Sequence, residues 1–176
     1  MPDLREQLGS VLQGRVCLMG LGNVDYSDDG MGMHLAQAVA ERLVRLGEAA
    51  RAGHIVHAGT TPEHFIGAVT QAGYDHLLFF DAVEFGDEPG SVLLLEEDEM
   101  VTRFPQISTH KISLHLLAKL IGSNGRTNVR LLGVQPGSLK AGQGLSPAVE
   151  KTVDILADMM SSLLVAAACP DGHDPA

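Results

Sequence analysis

Two aspartates and a histidine, distant in the chain, are the residues whose types could do chemistry together. Asp29 follows the apolar run Val16 to Met19 and the turn formed by Gly20, Gly22 and Asn23. Asp81 closes a second apolar run, Tyr74-Asp-His-Leu-Leu-Phe-Phe-Asp81. His110 stands in Ser108-Thr109-His110, at the entrance of a later helix. Two carboxylates and one imidazole suit a divalent ion such as nickel or zinc, with positions left open for water or substrate. Plainer roles compete with that one. Asp28 or Asp29 could cap the helix that follows, accepting its free N–H groups. Asp81 could bind backbone amides of the next turn, because a charge closing a buried strand is costly unless paired, hydrogen-bonded or metal-bound.

Other chemistries find little support. A dinucleotide loop needs a third glycine after Gly20 and Gly22, but Asp25 stands there, and no Gly-Lys-Ser/Thr follows. Asp25, Asp28 and Asp29 would repel a pyrophosphate and attract a cation. No Gly-x-Ser-x-Gly elbow occurs, and no cysteine is placed as a nucleophile. His115 lies five residues past His110, about 140° around an ideal helix, so the two do not serve one ion. His115 reads as a packing residue. His57, at the end of a strand, reads as structural, His34 as a surface or partly buried helix residue, and His64 as exposed on its helix.

The elements that must position these groups alternate. Leu4, Leu8, Val11 and Leu12 form one side of a short, loosely packed N-terminal helix. Val16 to Met19 is a strand, followed by a helix over about 30–46 with Met33, Leu35, Ala36, Val39, Ala40 and Leu43 inward. His54 to Ala58 is a second strand, and Thr61 with Pro62 begins a helix running to about Ala72. Tyr74 to Asp81 reads as a central strand, apolar on both faces. The segment from Ala82 to Gly90 is too short for a helical crossover, so Ser91 to Leu95 runs in reverse. Glu96 to Glu99 reads as a solvated acidic turn. A helix over about 111–121, a strand over Asn128 to Val134, and a helix capped by Ser146 and opened by Pro147 complete the domain. The expectation is an α/β three-layer sandwich with a mixed, mostly parallel five-stranded sheet and helices on both faces. Ligands of such sheets bind beyond the carboxyl ends of the strands, where Asp29, Asp81 and His110 can converge.

Length and composition agree with one domain over residues 1–167, followed by a disordered tail over 168–176. The net charge of −10 argues against nucleic-acid binding. Two cysteines, Cys17 and Cys169, give no disulfide framework, and no signal peptide or membrane span is expected, so a cytoplasmic location follows.

Taken together, the motifs resemble the [NiFe]-hydrogenase maturation endopeptidases. The match is carried, in family order over roughly residues 15–160, by several short motifs. They are Gly20-x-Gly22-Asn23 with Asp28-Asp29-Gly30-x-Gly32, Gly59-Thr60, Phe80-Asp81-Ala82, Ser108-Thr109-His110 with Leu114, Gly133-Val-Gln-Pro136, and Leu145-Ser146-Pro147-x-Val149. One departure is His57-Ala58, where many relatives carry Asp-Gly. The resemblance implies an endopeptidase that removes a C-terminal extension from a hydrogenase large-subunit precursor once nickel has been inserted. Nickel in the substrate is then the recognition signal, and no organic cofactor is required. It implies Asp29, Asp81 and His110 as the metal-contacting and catalytic residues, and Gly59, Thr60 and Gln135 as substrate-binding. The implied partner is the precursor, met by a monomer. Water attack would be assisted by nickel as a Lewis acid or by one aspartate as general base. A non-cleaving, nickel-checking chaperone and, further off, a nucleotide-binding α/β module are the competing readings.

Overall fold

The short N-terminal helix is not loosely attached. In the computed structural model, which describes residues 3–103, 113–123 and 125–167, helix α1 (Leu4–Val11) buries Leu8, Val11 and the following Leu12 almost completely. Asp3 accepts the Glu6 amide at 2.8 Å and Glu6 returns a carboxylate oxygen to the Asp3 amide at 3.2 Å. This capping box fixes the start of a helix too short to hold itself, and its apolar side completes a core layer with the last helix, α7 (Pro147–Ala166).

The sheet has five strands: β1 (Val16–Leu21), β2 (Ile55–Gly59), β3 (His76–Ala82), β4 (Val92–Glu96) and β5 (Asn128–Val134), in the spatial order β2-β1-β3-β5-β4. All neighbours are parallel except β4 against β5, so the expected reversal after the central strand is present. Strand alternation sends Val16, Leu18, Leu78, Phe80, Leu132 and Val134 to one face. There they meet α1, α2 (Met31–Arg45) and α7. Cys17, Met19, Leu77, Phe79, Val129 and Leu131 face the opposite layer. That layer is built from α4 (Ile66–Ala72), α5 (Glu97–Arg103) and α6 (Leu114–Gly122). The one-turn helix α3 (Ala49–Ala52) precedes β2. No helix among the described residues is long and apolar enough to cross a membrane.

Three local expectations change. The acidic run at Glu97–Glu99 opens helix α5, where carboxylates oppose the positive end of the helix dipole. Thr61 does not cap with its side chain; its hydroxyl donates to the Ala58 carbonyl at 3.5 Å, and a 3₁₀ turn, Pro62–Phe65, leads into α4. Helix α6 begins at Leu114, later than expected, because extended Ser113 caps it through the Leu116 amide. His110, Ser108 and Thr109 lie outside the described residues, as does the tail from residue 168.

From β1 the chain passes through α2 on one face to β2, then through α4 on the other face to β3. The sheet therefore has its switch point between β1 and β3, the crevice where open α/β sheets take ligands.

Candidate functional site

The crevice between β1 and β3 is closed by glycine. A Cβ on Gly32, in the first turn of α2, would collide with the carbonyl oxygens of both Leu21 and Phe80. Gly22 has φ 102°, and a Cβ there would overlap the Asp29 carbonyl. Only residues without a side chain let the backbone approach this closely. The 3₁₀ turn Ser27–Gly30 is thereby pressed onto the carboxyl end of β3 and onto Gly22, just past the end of β1. Asp29 belongs to that turn, and Asp81 directly follows Phe80. The two aspartates thus share one corner of the sheet.

Their neighbour Asp28 has a different task. It is 0% exposed. Its Oδ2 accepts the amides of Gly137 at 2.7 Å and Ser138 at 2.9 Å and the Ser146 hydroxyl at 2.8 Å, while Oδ1 accepts the Ser146 amide at 2.6 Å. Burial pushes this carboxyl up, but the Ser146 amide and hydroxyl and the Ser138 and Gly137 amides outweigh burial and hold it below the usual carboxylate range. Ser146, expected to cap α7 with its side chain, instead gives its hydroxyl to Asp28. Around this anchor two loops zip together. The Ser27 amide donates to the Gly142 carbonyl at 2.7 Å, the Gly142 amide to the Asp25 carbonyl at 2.9 Å, and the Asp28 amide to the Ser138 carbonyl at 3.0 Å. Ser27 takes φ 50°, rare for a residue with a side chain, to make this turn.

Asp29 is half-buried, and its Oδ2 accepts the Asn23 amide at 2.8 Å. It makes no other side-chain hydrogen bond among the described residues. Asp81 is 2% exposed, and its Oδ1 accepts the Ala82 amide at 3.0 Å. Gly59 has φ 58°, and its carbonyl accepts the Gly22 amide at 3.0 Å, so the end of β2 borders the same loop. Thr60 follows, exposed. Gln135, 8% exposed, turns its Oε1 to the amides of Phe85 at 2.8 Å, Gly86 at 3.0 Å and Asp87 at 3.4 Å. It thereby organises the loop that follows Asp81.

The remaining histidines separate. His57 is exposed on β2, and His115 is half-buried on α6 with a buried Nδ1 that finds no partner among the described residues. Cys17 is buried in β1 and its thiol is pushed up to about 12 by that burial, which removes it as a nucleophile. Among the described residues no three His, Cys, Asp or Glu side chains form a metal-sized cluster. From the sequence, Asp28 reads as one of two possible helix caps and as one of three carboxylates that would attract a cation, not as an internal anchor. Its partners lie more than 100 residues away, and nothing local announces them.

Comparison with known proteins adds to this geometry. The family model HycI, hydrogenase maturation protease, matches residues 38–163. The hydrogenase 2 maturation protease of Escherichia coli is 28% identical over 144 residues, covering 80% of this chain and 84% of its own. The hydrogenase expression/formation protein HoxM of Cupriavidus necator is 33% identical over 158 residues, covering 82% and 73%. The crystal structure of a [NiFe] hydrogenase maturation protease from Thermococcus kodakarensis superposes with a TM-score of 0.73 at 28% identity, covering 90% of this chain and 99% of that one.

Proposed function

The chain belongs to the hydrogenase maturation protease family and is a peptidase, and we propose that its substrate is the large-subunit precursor of a [NiFe] hydrogenase. It removes the C-terminal extension of that precursor after nickel insertion. The nickel arrives in the substrate; Asp29, Asp81 and His110 contact it, and the contact sets the scissile peptide at the sheet corner. The observation that carries this reading is the shared corner of Asp29 and Asp81, held by Gly22 and Gly32. A second observation supports it: among the described residues Asp29 hydrogen-bonds through one oxygen, to the Asn23 amide, which leaves the other able to meet a metal or a water.

Peptide hydrolysis adds water across the C–N bond. The proton leaves the attacking water and ends on the departing amine, and the carbonyl oxygen gains negative charge on the way. A half-buried carboxylate such as Asp29 can take that proton, and a divalent ion beside it can carry the developing charge. Asp28 is occupied by four hydrogen bonds and takes no part in this transfer. The test is the intact mass of a precursor mixed with this protein, with and without nickel loaded. Loss of a C-terminal peptide from the nickel-loaded form alone supports the reading. A stable complex with unchanged mass would replace it with a chaperone that binds without cutting.

A further inference from the structure

The two zipped loops beside Asp29 carry an apolar lip. Val24, Tyr26 and Leu139 are 41%, 47% and 38% exposed, and all three sit on the paired segments 24–28 and 138–142. Asp28 locks these segments to each other from below, so the lip is held on a rigid base. Exposed apolar side chains on a firm, hydrogen-bonded scaffold are what a binding surface offers, since little ordering entropy is lost on contact.

The charge around the lip is one-sided. The loops at residues 22–30, 83–91 and 135–146 hold Asp25, Asp28, Asp29, Glu84, Asp87 and Glu88 against Lys140 alone. Asp25, Glu84, Asp87 and Glu88 are all exposed. The loops adjoin, because the Gly90 amide donates to the Gln135 carbonyl at 2.9 Å and Gln135 holds Phe85, Gly86 and Asp87. A partner seated here must bring cationic groups next to apolar ones, or the carboxylates would repel it.

We infer that Val24, Tyr26 and Leu139 are the docking surface for a segment of the substrate polypeptide that presents apolar side chains between lysines or arginines. This rests on the proposed function and adds where the precursor is gripped and with what chemistry. The apolar contacts supply residence, and the acidic rim supplies steering that weakens with salt.

The test is steady-state cleavage of nickel-loaded precursor by the wild type, Tyr26→Ser/Leu139→Ser, Tyr26→Phe and Lys140→Glu, each checked by thermal melting. The double variant is expected to raise KM about tenfold, the loss typical of removing central contact residues, with kcat little changed. Tyr26→Phe retains the ring and keeps KM. Lys140→Glu removes the lone cation and lowers KM at low salt, and for all forms KM rises with ionic strength. If the wild type cuts, but KM is indifferent to the double substitution or to salt, the docking surface is wrong and the protease reading stands. If the wild type neither binds nor cuts nickel-loaded precursor, the reading itself fails and the surface with it.

Discussion

Replacing Asp28 by asparagine keeps size and shape but removes one acceptor oxygen and the charge. With its amide oxygen in the Oδ2 position, asparagine still accepts from Gly137, Ser138 and the Ser146 hydroxyl. Its NH2 then faces the Ser146 amide, which donated to Oδ1 at 2.6 Å. Two buried donors are left facing each other, each costing about 1–3 kcal/mol. The three surviving bonds also lose their charge assistance. A loss of about 4 kcal/mol follows, a large part of the ~5–15 kcal/mol that holds a typical domain. Asp29→Asn is the control from the next residue. It can keep its single bond to the Asn23 amide and should change stability by less than about 1 kcal/mol. Urea unfolding reads both. With a slope of about 2 kcal/mol per M, Asp28→Asn shifts the midpoint down by about 2 M and Asp29→Asn by less than about 0.5 M. Equal shifts for the two variants, or an Asp28→Asn midpoint within about 0.5 M of wild type, would refute the division of labour between these aspartates.

Three other outcomes follow from the same contacts. Because the folded Asp28 carboxyl lies below its unfolded value of about 3.9, it binds fewer protons folded than unfolded. Its stabilisation is complete above that value and is lost as pH falls through the lower folded value, so the midpoint gap between wild type and Asp28→Asn should be constant near neutrality and narrow below about pH 4. Gly32→Ala drives a Cβ into two strand-end carbonyls and should cost more than about 2 kcal/mol, read by the same urea titration. Gln135→Ala removes the acceptor of the Phe85, Gly86 and Asp87 amides, and hydrogen exchange at those three should speed at least about tenfold while β5 amides stay protected.

Much of the fold was legible because its signals are local. Asn128 to Val134 is bounded in the structure as its apolar pattern predicts, and β1 and β3 read as buried runs because helices cover both faces. The approach of Asp29 to Asp81 was also within reach, because one follows and the other closes an apolar strand and such strand ends meet at one edge of an α/β sheet. What escaped depends on distant partners. No property of residues 28–29 tells which aspartate turns inward; that is decided by amides at 137, 138 and 146. Ser146 carries the signature of a helix cap, yet its hydroxyl is placed to donate to the buried Asp28 carboxylate and accepts nothing from the first turn of α7. The burial of α1 depends on a face of α7 about 150 residues later, and pattern alone could not assign that face a partner.

In the proposed reaction the carboxylates at the β1–β3 crevice work on a nickel-bearing precursor, with Asp28 as scaffold and Asp29 as chemistry. Intact-mass spectrometry of nickel-loaded precursor with wild type and with Asp29→Asn tests it most directly. Wild type should release a C-terminal peptide, with none released without nickel and none by a folded Asp29→Asn. Wild-type rates from folded Asp29→Asn, or equal cutting of the nickel-free precursor, would contradict it.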